Sequence, residues 1–84
     1  MQLLVLTPEK EMYQGNIQSV KVPGTKGQFE ILKGHAPIVS SLGKGVVRIV
    51  DTAGNKSEIE ILKGFVEVLR DEVSILVQVV KKEQ

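Results

Sequence analysis

The chain is made of short apolar runs that repeat every second residue, and that period leaves few folds open to it. Val73, Ile75, Val77 and Val79 alternate with Ser74, Leu76, Gln78 and Val80. Ile59 and Ile61 alternate with Glu58 and Glu60, and Val47 and Ile49 flank Arg48. A strand turns successive side chains to opposite faces, so these runs put one face into a core and the other outwards. β-Branched residues, which pack well on a pleated surface, are concentrated in them. Gly and Pro punctuate the runs. Pro23-Gly24-Thr25-Lys26-Gly27 reads as a turn, since Pro presets φ and Gly permits a positive one. Ala53-Gly54-Asn55-Lys56 predicts a hairpin between strands near 45–51 and 57–62, and Arg70-Asp71 allows a second, tight one. Gly43-Lys44-Gly45 separates two further runs.

Leu3 to Leu6 is apolar on both faces, as expected of a strand with little exposure. Ile17 and Val20 break the alternation, being three apart, and Val22 then follows at two. A β-bulge between Gly15 and Val20 accounts for the slip; two short strands kinked at Gly15 are the alternative. Thr7-Pro8-Glu9-Lys10 has an N-cap and a Pro at the first helical position, but Met12-Tyr13-Gln14-Gly15 limits it to a single turn. The expectation is an all-β domain over residues 1–80. It is a flattened antiparallel β-sandwich or barrel of roughly eight to ten short strands with no long helix. Lys81-Lys82-Glu83-Gln84 is expected to be a polar tail that frays.

At 84 residues there is room for one domain, with limited surface to bury. The absence of Cys removes disulfide and thiolate-metal staples, so a partner is a natural source of added stability. Eleven Lys and Arg against 10 Asp and Glu, a net charge of +1, argue against a general nucleic-acid binder. Tyr13, Phe29 and Phe65 are the three aromatic residues, too few for a base-stacking platform. No apolar run approaches the roughly 18 residues of a membrane span, and the start at Met1 lacks the features of a signal peptide. The expectation is a soluble, intracellular chain that reaches a membrane only through a protein partner.

Catalytic constellations are not evident. One His, His35, and no Cys rule out a His-rich or thiolate metal site within the chain. Glu58 and Glu60 share the outward face of a strand and read as a solvated surface, not an acid–base pair. Ser40 has His35 as its one conceivable base, with no third group to orient it. Gly24-Thr25-Lys26-Gly27 lacks the spacing, the terminal Lys-Ser/Thr and the following helix of a phosphate loop.

Several ordered blocks nonetheless resemble one family. Leu3-Leu4-Val5-Leu6-Thr7-Pro8-Glu9-Lys10 and Met12-Tyr13-Gln14-Gly15 resemble the opening of ATP synthase epsilon subunits. Ser19 to Leu32, running through Pro23-Gly24-Thr25-Lys26-Gly27, is similar to that family's next segment. Gly34-His35-Ala36-Pro37 matches its most specific signature. Gly45 to Ile49, Gly64 to Val68 and Val73 to Leu76 follow in order and spacing. The resemblance implies a β-sandwich of the F-type ATP synthase central stalk, non-catalytic and without a cofactor. It would link the gamma subunit to the ring of c subunits and couple proton or sodium flow to ATP synthesis. It would meet the alpha and beta hexamer indirectly, and lie peripherally at the cytoplasmic face of a bacterial membrane without inserting into it. The family's helical hairpin is expected to be missing, since the sequence ends after the last strand. Its autoinhibitory role and the nucleotide motif near it are then not carried over.

The ring-facing positions implied by the resemblance are Gln28, Phe29 and Glu30, and His35, Ala36 and Pro37. The gamma-facing positions are Thr7 and Ser40. Gln28 stands where many relatives carry an acid, so it would offer hydrogen bonds in place of an ion pair; Glu30, where Gly is usual, restores the charge next door. Lys33, where Pro is common, is another departure. His35 has a second reading, in which its ring bonds backbone groups and fixes the loop. Pro23, Gly24, Gly27 and Gly34 read as turn formers. The runner-up is a small carrier or binding module of the biotinyl or lipoyl kind. It would use Lys56 at a hairpin tip, although the usual neighbours of such a lysine are absent.

Overall fold

The alternating runs form strands, and the outline of the fold follows from how two of them are shared. The computed structural model describes residues 1–80, so the expected polar tail at 81–84 lies outside the described residues. The strands are β1 (Gln2–Leu6), β2 (Glu11–Gly24), β3 (Gly27–Leu32), β4 (Ile38–Leu42), β5 (Gly45–Asp51), β6 (Lys56–Leu69) and β7 (Glu72–Val79). No helix occurs among the described residues.

Seven strands stand where eight to ten short ones were expected, because β2 and β6 each run for 14 residues. Each changes partners along its length. The first half of β2 pairs with β1, where Leu3 lies opposite Gly15 and Val5 opposite Tyr13. Its second half pairs with β3 and β5, where Val20 lies opposite Ile31 and Ile49. Likewise β6 pairs with β5 from Lys56 to Ile61, then with β7 and β4 from Lys63 to Leu69. One layer therefore contains β4, the second half of β6, β7, β1 and the first half of β2. The other contains β3, the second half of β2, β5 and the first half of β6.

A bulge sits at each crossing. The β2–β5 register slips between Ile17 and Ser19, inside the interval read from the sequence, and the β6–β7 register slips between Ile61 and Lys63. An extra residue on one strand bends it and exchanges its inward and outward positions. The buried positions accordingly step from Ile17 to Val20 and Val22, and from Ile61 to Val66 and Val68. The ladders are antiparallel except one: β1 runs parallel to β7, with Leu3 opposite Val73 and Val5 opposite Ile75. Paired along both edges, β1 buries Leu3 and Val5 in the core and leaves Leu4 and Leu6 half-buried on the outer face.

Fifteen aliphatic side chains, among them Leu3, Val5, Ile31, Ile49, Val66 and Ile75, form one core between the layers, with no buried polar or charged side chain among the described residues. The turns show their chemistry. Arg70 and Asp71 both take positive φ (51° and 62°), as the primed two-residue hairpin turn requires. Thr7 Oγ1 accepts the N–H groups of Glu9 (3.3 Å) and Lys10 (3.1 Å). It thus caps a tight bend between β1 and β2 in place of a helical turn.

At the β5–β6 hairpin the Asp51 carboxylate accepts the N–H groups of Ala53 and Asn55, both at 2.9 Å, and the Asn55 side-chain amide at 3.2 Å. The Asn55 N–H foremost, opposed by desolvation but joined by the Asn55 side chain and the Ala53 and Gly54 N–H groups, holds this carboxyl below its ordinary value of 3.8. A depressed folded value means the group stabilises the fold above the unfolded pKa, and that this is lost as pH falls through the folded one. We expect Asp51→Ala to lower the melting temperature at neutral pH. The gap from the parent should close as pH drops below 3.8. Thermal unfolding followed by circular dichroism across that range checks it, and a gap that does not narrow contradicts it.

Candidate functional site

The two outward faces of the sandwich differ in character. Across the layer containing β3 and β5, one row of paired residues reads Glu30, Lys21, Arg48, Glu58. Arg48 and Glu58 form an ion pair, with both side chains more than half exposed. Such a face is satisfied by water. Across the other layer, the matching row reads Leu6, Leu76, Phe65, Ser41. Phe65 and Leu76 remain 49% and 41% exposed. With Thr7, Pro8, Lys63 and Gln78 this row lines an open concavity of about 530 Å³. Val39 and Leu69 are exposed on the same face towards Pro37, with Glu67 and Ser74 lying between them and the Phe65–Leu76 pair. Single exposed hydrophobic residues are ordinary, but a contiguous patch rimmed by polar groups marks a docking surface.

The positions assigned by the resemblance fall into separate places. Gln28, Phe29 and Glu30 open β3. Gln28 is exposed opposite Pro23, Glu30 is exposed opposite Lys21, and Phe29 is half-buried against the core. Ser40, on β4, joins Gly24, Gly27, Gln28 and Phe29 around a second open concavity of about 540 Å³. It is thereby grouped with Gln28 and Phe29, whereas Thr7 lines the first concavity beside Ser41. His35, Ala36 and Pro37 lie in the connection after β3, at its far end. A rise of about 3.3 Å per residue sets Gln28 and Leu32 about 13 Å apart along the strand. The two ring-facing candidates thus occupy opposite ends of one edge strand.

The connection itself is closely held. Gly34 has a φ of 82°, a conformation that L side chains rarely adopt. The Gly34 N–H donates to the Asp71 carboxylate (3.1 Å) and the His35 N–H to the Leu32 carbonyl (3.0 Å). His35 Nδ1 lies 2.7 Å from the Ala36 carbonyl oxygen, so the ring bonds the loop while remaining half-exposed. The Ser40 hydroxyl donates to the Ser41 carbonyl at 3.5 Å, not to His35. Among the turn formers, Gly27 also takes a positive φ, of 129°. Pro23 instead lies within β2, where its carbonyl accepts the Gly43 N–H at 2.8 Å. Gly24 is needed for closeness: a Cβ there would sit 2.7 Å from the Gly27 carbonyl and 2.9 Å from the Phe29 ring.

Two features escaped the sequence reading. One is the apolar row Leu6, Leu76, Phe65. Its signal was present, since Val66 and Ile75 facing inwards put Phe65 and Leu76 outwards. The other is Asp71 at Gly34, a contact across 37 positions with no local signature.

Residues 1–83 match the family model described as ATP synthase, Delta/Epsilon chain, beta-sandwich domain. The ATP synthase epsilon chain of Leptospira borgpetersenii is 44% identical over 72 residues, covering 86% of this chain and 56% of that one. The ATP synthase epsilon chain of Magnetococcus marinus is 43% identical over 75 residues, covering 89% and 54%. The chain therefore spans about half the length of the curated relatives it matches. Among solved structures, a chain of the Euglena gracilis mitochondrial ATP synthase (OSCP/F1/c-ring) superimposes with a TM-score of 0.84 at 22% identity, covering 89% of this chain and 48% of that one. A chain of the Tetrahymena thermophila mitochondrial ATP synthase central stalk/c-ring gives 0.77 at 17% identity, covering 92% and 62%. At those identities the likeness concerns the fold.

Proposed function

Because the chain belongs to the ATP synthase delta/epsilon β-sandwich family, we propose that it is a non-catalytic part of the central stalk, joining the gamma subunit to the c-ring so that ion flow is coupled to ATP synthesis. The observation that carries this reading is the contrast between its faces. A domain this small gains nothing in isolation from leaving Phe65 and Leu76 exposed beside Leu6 on one side, where the matching row on the other side is charged. A part held by a partner on one face gains stability from that contact.

In this reading the gamma subunit covers the apolar row next to Thr7. The c-ring is met along the β3 edge by Gln28, Phe29 and Glu30 at one end, and by His35, Ala36 and Pro37 at the other. Ser40, lining the same concavity as Gln28, marks where the two partners come nearest one another. Contact with the alpha and beta hexamer is indirect, through gamma, and the chain sits peripherally at the cytoplasmic face of the membrane. No helix among the described residues is long and apolar enough to cross a membrane. The carrier reading finds little support. Lys56 is the first residue of β6, exposed and paired with Val50, and the tip of that hairpin is built by Thr52, Ala53, Gly54 and Asn55.

The test is co-purification with a gamma subunit and with a detergent-solubilised c-ring; folded protein that retains neither overturns the reading. Gln28→Lys and His35→Ala should each weaken ring binding about fivefold, the size of an ordinary interface contact near 1 kcal/mol. Gln28→Lys should leave the melting temperature nearly unchanged, because Gln28 is exposed. If both variants lose stability in proportion to binding, the two residues are structural and the ring surface lies elsewhere.

A further inference from the structure

One residue of a distant turn holds the connection that carries His35, Ala36 and Pro37. Asp71, second in the two-residue turn between β6 and β7, has a φ of 62°. In that conformation its main chain and its side chain serve different segments. The Asp71 carbonyl accepts the Gln2 N–H at 2.9 Å, and its carboxylate oxygen Oδ1 accepts the Gly34 N–H at 3.1 Å. The start of β1, the β6–β7 turn and the β3–β4 connection therefore meet on a single residue. The bonds His35 N–H to Leu32 and His35 Nδ1 with Ala36 are local and shape the connection upon itself. Among the described residues, the Asp71–Gly34 hydrogen bond ties that connection to the rest of the sandwich.

The chemistry suits the position. Asp is among the few residues other than Gly that tolerate the left-handed region, and it brings a charged acceptor to an exposed N–H. A connection with only local bonds would keep its shape yet rotate about its two ends. A bond from a third segment removes that freedom.

We infer that Asp71 is a positioning residue for the His35–Pro37 surface, fixing through the Gly34 amide the orientation in which that surface is offered to a partner. The partner step rests on the proposed c-ring contact, but the clamp itself does not. If release leaves the competent orientation populated about one-fifth of the time, apparent affinity falls about fivefold, because affinity scales with the competent fraction.

Two variants of the full chain separate the roles. Asp71→Gly keeps the backbone conformation and removes the acceptor. Asp71→Asn keeps both an acceptor oxygen and tolerance of positive φ. Amide hydrogen exchange at Gly34, referenced to the core amide of Val66, should accelerate about tenfold in Asp71→Gly and stay near the parent in Asp71→Asn. The Gln2 amide should be unaffected in both, since the Asp71 carbonyl remains. Affinity for a detergent-solubilised c-ring should fall about fivefold in Asp71→Gly and recover in Asp71→Asn. Unchanged Gly34 exchange in Asp71→Gly overturns the inference. Faster exchange with ring affinity within twofold of the parent overturns the positioning role and leaves the proposed function standing. A parent chain that does not bind the ring removes the proposed function, and Gly34 exchange then decides the clamp alone.

Discussion

Gly64→Ala is expected to cost about 3 kcal/mol of folding stability, the largest loss among the Gly→Ala substitutions. Gly64 lies on β6 opposite both Leu42 and Val77, just beyond the bulge at Leu62. A Cβ there would stand 2.2 Å from the Leu76 carbonyl oxygen, 2.9 Å from Val77 Cγ1 and 3.0 Å from Val77 Cα. Two of those three atoms are main chain, so no rotamer change relieves the contact and β7 must move away from β6. Because β7 also pairs with β1 along Val73, Ser74 and Ile75, the displacement is resisted on its far side. A chain of 84 residues carries roughly 4–13 kcal/mol in total, so the loss is a large share. Urea unfolding measures it directly. Gly43→Ala is the control, since a Cβ there meets only the Thr25 methyl at 3.9 Å. Equal and small losses in the two variants would show that β6 and β7 can part at little cost.

Phe65→Thr combined with Leu76→Thr is expected to abolish most binding to the gamma subunit while leaving the fold intact. Both side chains point outwards and are paired across the β6–β7 ladder, so neither contributes to the core. Threonine retains the strand preference of a β-branched residue and makes the row polar. Central apolar anchors at an interface are commonly worth about 2 kcal/mol or more each; such values do not simply add, so the double variant should lose between about 30-fold, the worth of one anchor, and about 1000-fold, the worth of two. Circular dichroism and thermal unfolding establish that the fold survives; titration against the gamma subunit measures the loss. Affinity within threefold of the parent, with the fold unchanged, would show that gamma docks elsewhere.

The strands were legible because alternation reports faces, as with Val73, Ile75 and Val77. The hairpins were legible because Gly54-Asn55 and Arg70-Asp71 supply the backbone conformations that tight turns need. Alternation does not report partners. The parallel pairing of β1 with β7 joins the two ends of the described chain, and nothing local in Leu3-Leu4-Val5-Leu6 points to it. The strand count was too high for a related reason. A bulge interrupts the period where the chain does not stop, so Gln18 and Leu62 look like boundaries although each lies inside one continuous strand. At the candidate site, the resemblance carried Gln28 and His35 by their order along the chain. Their placement at opposite ends of β3 depends on that segment being straight, and the grouping of Ser40 with Phe29 depends on two edge strands facing one gap. Gly24 was read as a turn former for its φ, whereas the Gly27 carbonyl and the Phe29 ring beside it set the requirement.

The sharing of β2 and β6 between layers has a mechanical consequence. In a sandwich whose sheets touch through side chains alone, a sideways load is opposed by dispersion contacts, which yield by sliding. Here the main chain crosses from one sheet to the other twice, so a shear applied to the outer face of one layer is carried into the other by covalent bonds. A twist entering beside Phe65 on β6 reaches Glu58 along the backbone of β6 itself, and Arg48 on β5 through the ladder and ion pair that join it to Glu58. For the proposed central-stalk part, that is the difference between a bearing that creeps and a coupling that transmits torque.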